Sequence, residues 1–465
     1  MRSTAPTTRD DVHDGPEQPA GASGTRRPPR RLLAAAALTA AGALAVGGLA
    51  VPAANAAAPA TTGAGATTVV APRGSTPLAS APFAAAALVR STLAGADEPD
   101  AARTGAHSHR TVQRALDALV RTDGYPGVLA TVRDERGRSR NLVAGVGDLS
   151  TGRRPPVDGR VRLASNSKTF VAVVVLQLVG EGKVDLDAPV ATYLPGLVDN
   201  GRTGAERVDG AVITVRQLLQ HTSGIPEYVD VLAGPDLSGV DRMRDTYLQP
   251  RALLDVALVR PASFPAGTGW AYSNTNYVVA GLLVEAVTGR PLHEEVTRRV
   301  IERAGLRDTY VPAVGEREIR GTHPRAYHAD APGAPLEDFT TLDPSSAWAA
   351  GDVVGTPSDL VRLYTAVLDG RLLGPAELAE MQRTVETSQD WGPVRYGLGL
   401  TSTPLSCGGV AWGHGGDIFG FSTREGVTDD GRAAAVAVTS LPAALPDPES
   451  AFVHLDGALD TALCS

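Results

Sequence analysis

The chain has 465 residues, 43% of them hydrophobic and 20% charged, with a formal net charge of −8 at pH 7. That composition is typical of a soluble globular protein with room for one large domain or two smaller ones. The acidic balance excludes nucleic acid as the main partner, which would need a basic face.

In chain order, residues 1–31 are polar and end in "TRRPPRR", and residues 32–56 read "LLAAAALTAAGALAVGGLAVPAANA" without a charge. A basic segment, an apolar run and a small A-x-A site predict an export signal over 1–56, cleaved after Ala56. The alternative is a membrane anchor that stays in place. Arg30-Arg31 also suits the twin-arginine route. Either way the protein is expected outside the cytoplasm, after transient membrane passage. Residues 57–105, rich in Ala, Thr, Pro, Gly and Ser, read as a flexible linker. Residues 106–465 are then the folded domain. The two cysteines, Cys407 and Cys464, pair most simply in an exported protein, the alternative being two buried thiols. Neither CxxC nor Cys/His spacing points to zinc.

"TVQRALDALVRTDG" sets Val112, Leu116, Leu119 and Val120 on one helical face, stopped by Gly124. "GVLATVRDERGRSRNLVAGVGD" predicts two strands about a turn at Arg136-Gly137. "LASNSKTF" then opens an apolar helix through Val179. Residues 185–343 look mainly helical, with long loops. After them "RYGLGL", "GGVAW", "GFSTREGV" and "RAAAVAVTS" alternate as strands, and a helix runs from Pro448 to Leu463. This order predicts an α+β fold: a sheet assembled from both ends of the chain, flanked by helices, with a helical subdomain inserted between.

Three short stretches carry chemistry. Lysine occurs only twice, at Lys168 and Lys183, in a chain whose basic residues are otherwise arginine. Ser165 and Lys168, three apart at a helix start, share a face. A buried amine can lose its proton and activate the serine, and arginine cannot. The plain alternative is a capping serine with a lysine lying along the helix. Tyr272-Ser273-Asn274 opens a second apolar helix; Tyr272 can move the serine proton and Asn274 hold a substrate amide, or Asn274 merely caps the helix. His414-Gly415-Gly416, expected on a strand, offers an imidazole and close backbone approach, or only a tight bend.

With these motifs the chain resembles the serine penicillin-recognising hydrolases: class C β-lactamases, D-alanyl-D-alanine carboxypeptidases and related esterases. The likeness is nearest to secreted streptomycete-type DD-carboxypeptidases. It runs from about Gly127 to Cys464 and includes "ITVRQLLQHTSGIPEY", "FPAGTGWAYSNTNYVVAGLLVEAVTG" and "YGLGL…LSCGGVAWGHGG". The resemblance implies the β-lactamase/DD-peptidase-like antiparallel sheet flanked by helices. It implies that Ser165 forms an acyl-enzyme, that Lys168 and Tyr272 share the proton, and that Asn274 binds the acyl side chain. His414 assists, Gly415, Gly416 and Asp417 line the substrate strand, and the N–H groups of Ser165 and Asp417 hold the oxyanion. No metal or organic cofactor is implied, and a monomer acting on a small-molecule or peptide substrate is expected. The expected activity is a D-alanyl-D-alanine carboxypeptidase on cell-wall peptides. An esterase or D-amino-acid amidase is the alternative, with β-lactamase and a silent penicillin-binding sensor behind. "GLTSTPLSCG" lacks the arginine that holds a terminal carboxylate in close relatives, and Asp417 stands where they carry a hydroxyl. Its carboxylate either faces the site and repels an anion or points away. "HTSG" at His221 is expected to be a structural loop beside the site.

Overall fold

The computed structural model describes residues 101–234 and 239–465, with side chains from His109 onward. The export signal at 1–56 and the linker up to residue 100 lie outside the described residues. Helix α1 (Ala101–Ala118) begins inside the stretch read as linker. A turn over Leu119–Asp123 and left-handed Gly124 end it, at the glycine the sequence marked.

Thirteen strands follow along the described residues: β1 (Gly127–Arg133), β2 (Ser139–Gly145), β3 (Val161–Arg162), β4 (Tyr327–His328), β5 (Glu337–Asp338), β6 (Val354–Gly355), β7 (Val385–Glu386), β8 (Arg395–Tyr396), β9 (Thr401–Pro404), β10 (Val410–Gly413), β11 (Gly416–Ile418), β12 (Phe421–Thr428) and β13 (Ala433–Val438). Nine of them form one antiparallel sheet in the order β2-β1-β13-β12-β10-β9-β8-β7, with β11 paired to β12. The two ends of the chain therefore meet at β1–β13, where Val128 faces Val438 and Arg133 faces Ala433. The first hairpin closes because the Asp134 carboxylate accepts from the Arg136 and Arg138 amides and Gly137 takes a positive φ of 76°.

Alternation along β13 separates two cores. Ala434, Val436 and Val438 pack with Val128 and Ala130 beneath α1 and the C-terminal helix α5 (Pro448–Cys464). Ala433, Ala435 and Ala437 face the other way, with Leu360, Leu363 and Val367 of α4 (Pro357–Leu368). Alanine on that face lets the helix approach closely. The Asp447 side chain accepts from the Ser450 amide and starts α5. A disulfide between Cys407 and Cys464 ties its end to the β9–β10 loop.

Helix α2 (Ser167–Gly180) is apolar all round and buried from Ser167 to Leu178, as expected of a helix inside a core. It packs against α3 (Asn274–Thr288). Residues 185–343 are mainly short helices and loops, with the β4–β5 pair among them. Most of their apolar side chains join the main core, where Leu218, Leu253, Val279 and Val300 meet Val171 and Val174, while Ala233, Val240, Met243, Phe339 and Leu342 form a small cluster of their own. His414 is the element-level correction. It stands in the break between β10 and β11, not on a strand, because its N–H donates to the Glu425 side chain, Oε1, at 3.2 Å instead of to the backbone of β12.

Candidate active site

Strand β3 delivers the chain to a 3-10 turn over Ala164–Asn166, and α2 begins at Ser167. Ala164 takes a positive φ of 50°, an unfavourable conformation for a residue with a Cβ. Asn166 holds the turn: its side-chain amide donates to Leu163 O at 3.0 Å and Thr423 Oγ1 at 2.8 Å, and Tyr364 donates to its Oδ1 at 2.6 Å. Ser165 is thus left partly exposed on a clamped turn. It does not cap the helix, whose N-cap makes no side-chain bond.

Lys168 is wholly buried, with Nζ 3.0 Å from Ser165 Oγ, 2.7 Å from Asn274 Oδ1 and 2.7 Å from Ala350 O. Burial lowers its pKa to about 7, and the carboxylate of Glu227 works the other way. The two oxygens of Asn274 and Ala350 can only accept. A neutral amine gives them its two hydrogens and has its lone pair left for the Ser165 hydroxyl. The geometry therefore suits proton removal from Ser165.

Tyr272 is buried over Lys168, whose Nζ lies 4.9 Å from the ring centroid. Burial holds its phenol well above the usual value, with a hydrogen bond to Ser165 opposing weakly. Neutral phenol is thus the resting form. Asn274 is the first residue of α3, but its side chain serves Lys168 and not the helix end. The orphan amide of Asn274 is taken instead by the carboxylate of Glu227, which also accepts from Val229 N. Burial raises the Glu227 pKa.

Beneath Tyr272 runs a hydrogen-bonded chain that the sequence did not announce. Ser273 N–H donates to His221 Nδ1 at 3.2 Å, so the His221 proton sits on Nε2, 3.1 Å from Tyr396 Oη. Tyr396 Oη lies 2.7 Å from His414 Nε2, and His414 Nδ1 lies 2.6 Å from Gly415 O. Each bond fixes the direction of the next: His221 donates to Tyr396, Tyr396 to His414, and His414 to the Gly415 carbonyl. Burial, with Lys168 nearby, lowers the His414 pKa to about 3, and His221 is pushed well below its ordinary value for the same reasons. Both rings are neutral and wired. The His221 ring lies 4.3 Å from that of Tyr272, and Trp391 stacks on Tyr272 at 5.2 Å.

Strand β11 closes the site. A Cβ on Gly416 would stand 2.3 Å from Leu163 O, so only glycine lets this strand lie against the Ser165 turn. The Asp417 carboxylate accepts from Ser422 Oγ and from Arg424 Nη1, the latter at 3.2 Å, and Arg424 also holds Asp456. Its charge is therefore answered on the β12 side. Asp417 still lines the cavity with Ser165.

That cavity, about 180 Å³, is bounded by Ser165, Asn274, Asp417, Val229, Met243, Phe419 and Phe452 among others. Tyr272 is not on its wall. None of the described lining residues is Lys or Arg.

A β-lactamase family model matches residues 112–458. The chain belongs to the β-lactamase family. It is similar to the crystal structure of a D-stereospecific amidohydrolase from Streptomyces sp., at 39% identity and a TM-score of 0.66, covering 75% of this chain and 98% of that one. A D-aminopeptidase of Cereibacter sphaeroides is 27% identical over 70% of this chain, which spans 59% of that relative's length. Esterase EstB of Burkholderia gladioli is 29% identical over 64% of this chain and 83% of its own. In this β-lactamase family chain Ser165, Lys168, Tyr272 and Asn274 come together, with His414 one step removed behind Tyr396. Asn166, Glu227, Tyr396 and Ala350 were missed. Their only signal is burial beside the site, which a single sequence does not display.

Proposed function

We propose that the protein is an exported serine hydrolase that acylates Ser165 and cleaves amide bonds on the carbonyl side of D-amino acids. The observation that carries the chemistry is the Lys168 amine, buried, with Nζ 3.0 Å from Ser165 Oγ and a pKa that burial lowers to about 7. Lys168 takes the Ser165 proton as Oγ bonds to the carbonyl carbon, with the oxyanion at the Ser165 and Asp417 amides. The carbon–nitrogen bond then breaks, and Tyr272 hands the proton from Lys168 to the departing amine. Water repeats the sequence on the ester, releases the acid and returns Ser165. Deacylation uses the same base.

Since Tyr272 delivers the proton, the leaving group lies on its side. The cavity walled by Asn274 and Asp417 then receives the acyl part. Its apolar walls suit a bulky apolar residue. On the leaving side stand Trp391, Trp270 and Tyr396, and β9 supplies only Thr401, Ser402 and Thr403 where a carboxylate would need a cation. This favours a leaving group with no carboxylate beside the scissile bond, hence an amidase, or an aminopeptidase on longer or amidated peptides, in line with the activities named for the Streptomyces and Cereibacter relatives. The carboxypeptidase reading comes second, favoured by the "LSCGGVAWGHGG" context. The Cys407–Cys464 bridge supports export, because disulfides persist in oxidising compartments.

The test is release of ammonia from D- and L-phenylalanine amide beside release of D-alanine from a diacyl-Lys-D-Ala-D-Ala peptide, each with Ser165→Ala as control. D-specific, Ser165-dependent amide hydrolysis without D-alanine release is expected. D-alanine release at a comparable kcat/KM would replace the proposal with the carboxypeptidase.

A further inference from the structure

Among the described residues that line the acyl-side cavity, one buried polar side chain lacks hydrogen-bond partners. His328, the second residue of β4, is 5% exposed, and neither Nδ1 nor Nε2 has a hydrogen-bond partner. Its ring stands edge-on to Phe419 at 4.9 Å and to Phe339 at 5.4 Å. It lines the same cavity as Ser165. The contrast with His221 and His414, whose ring nitrogens are all bonded, is sharp. A buried polar group left without a partner is destabilising, and such a group in a binding cavity points to a partner that arrives with the ligand.

We propose that His328 is a specificity-determining residue, which hydrogen-bonds a hydroxyl at the tip of an aromatic acyl side chain, so that tyrosine-like acyl groups are preferred to phenylalanine-like ones. The proposal rests on the acyl assignment of this cavity made above. A rotation about χ2, a torsion with a broad minimum, turns a ring nitrogen toward the cavity. Burial lowers the pKa of the ring, against the pull of Asp330 and Asp241, so it carries one donor and one acceptor. A hydroxyl can pair with either nitrogen, because it both donates and accepts. An acidic tip would meet Asp330 and Asp417 on the cavity wall. An ammonium would be drawn to those two carboxylates and away from His328, whose ring stands against Phe339 and Phe419. Size agrees with a single ring: an apolar cavity of roughly 150 Å³ holds benzene, and this one is about 180 Å³.

The experiment uses the p-nitrophenyl esters of 3-phenylpropionic acid and 3-(4-hydroxyphenyl)propionic acid with the full chain. Neither ester has an amino group or a D centre, so the ratio is read whether or not D-amino acid amides turn over. Wild-type protein should favour the hydroxylated ester in kcat/KM by about tenfold, the discrimination one hydrogen bond supplies. In His328→Phe and His328→Leu the ratio should fall to one or below. A wild-type ratio of one or less overturns the proposal, and so does a preference retained in either variant. If both variants are inactive, the wild-type ratio decides alone.

Discussion

The two sides of Ser165 are built differently. Toward Tyr272 every polar atom from Ser273 through His221, Tyr396 and His414 to Gly415 has a partner whose direction is determined by its neighbour. Aromatic rings of Trp270, Trp391 and Tyr396 pack this side, where the buried Trp270 Nε1 stands outside the chain and lacks a partner. Toward the cavity the walls are apolar and the His328 imidazole lacks partners. A machine that must move the same proton in every turnover benefits from side chains that cannot choose another arrangement. A pocket that must accept a ligand keeps its bonding capacity open.

The comparison is broken most severely at the nucleophile. Ser165→Ala should lower kcat by on the order of 10⁵-fold or more, measured with an activated ester. Lys168→Arg fixes a permanent charge where the amine gives up its proton and removes the lone pair; kcat/KM should fall by about 10³-fold while the thermal transition stays cooperative. Near-normal activity in that variant would remove Lys168 as the base. Reducing the Cys407–Cys464 bridge, which belongs to neither side, opens a 57-residue loop and should cost about 4 kcal/mol of stability by the chain-entropy argument. Unchanged denaturant unfolding under reducing agent would contradict it.

Tyr396→Phe leaves His221 and His414 each short of a partner and should destabilise by about 1–3 kcal/mol in denaturant unfolding. The same variant should leave the hydroxylated-to-plain ester ratio unchanged, since that ratio is read at the opposite wall. The smallest effect is that of pH. Lys168 accepts a proton only when neutral, so with its pKa lowered to about 7, kcat/KM should be full above that value and fall tenfold per unit below it. Glu227→Gln removes the charge that raises Lys168 and should move this limb to lower pH. A limb near 10 would point away from Lys168.

The sequence by itself determined the local objects. Lys168 against a background of arginine, three residues after Ser165 at the mouth of an apolar helix, is legible because i and i+3 meet on any helix. Tyr272 and Asn274 before another apolar run, the strand alternation after residue 395 and the glycine that stops α1 are legible for the same reason: each is a local period or turn. What lies between the segments was decided only by tertiary structure. Glu227 reaching the start of α3, Ala350 offering its carbonyl to Lys168, Tyr396 bridging His221 and His414, and β11 pressed on the Ser165 turn at Gly416 all join residues distant in the chain. Such pairings leave no period to read. His414 shows the limit well: alternation placed it on a strand, and a side chain from β12, Glu425, takes its N–H in place of a ladder bond. The same holds for pKa, because the amine of Lys168 is lowered by burial, and burial is a property of the assembled core and not of the residue.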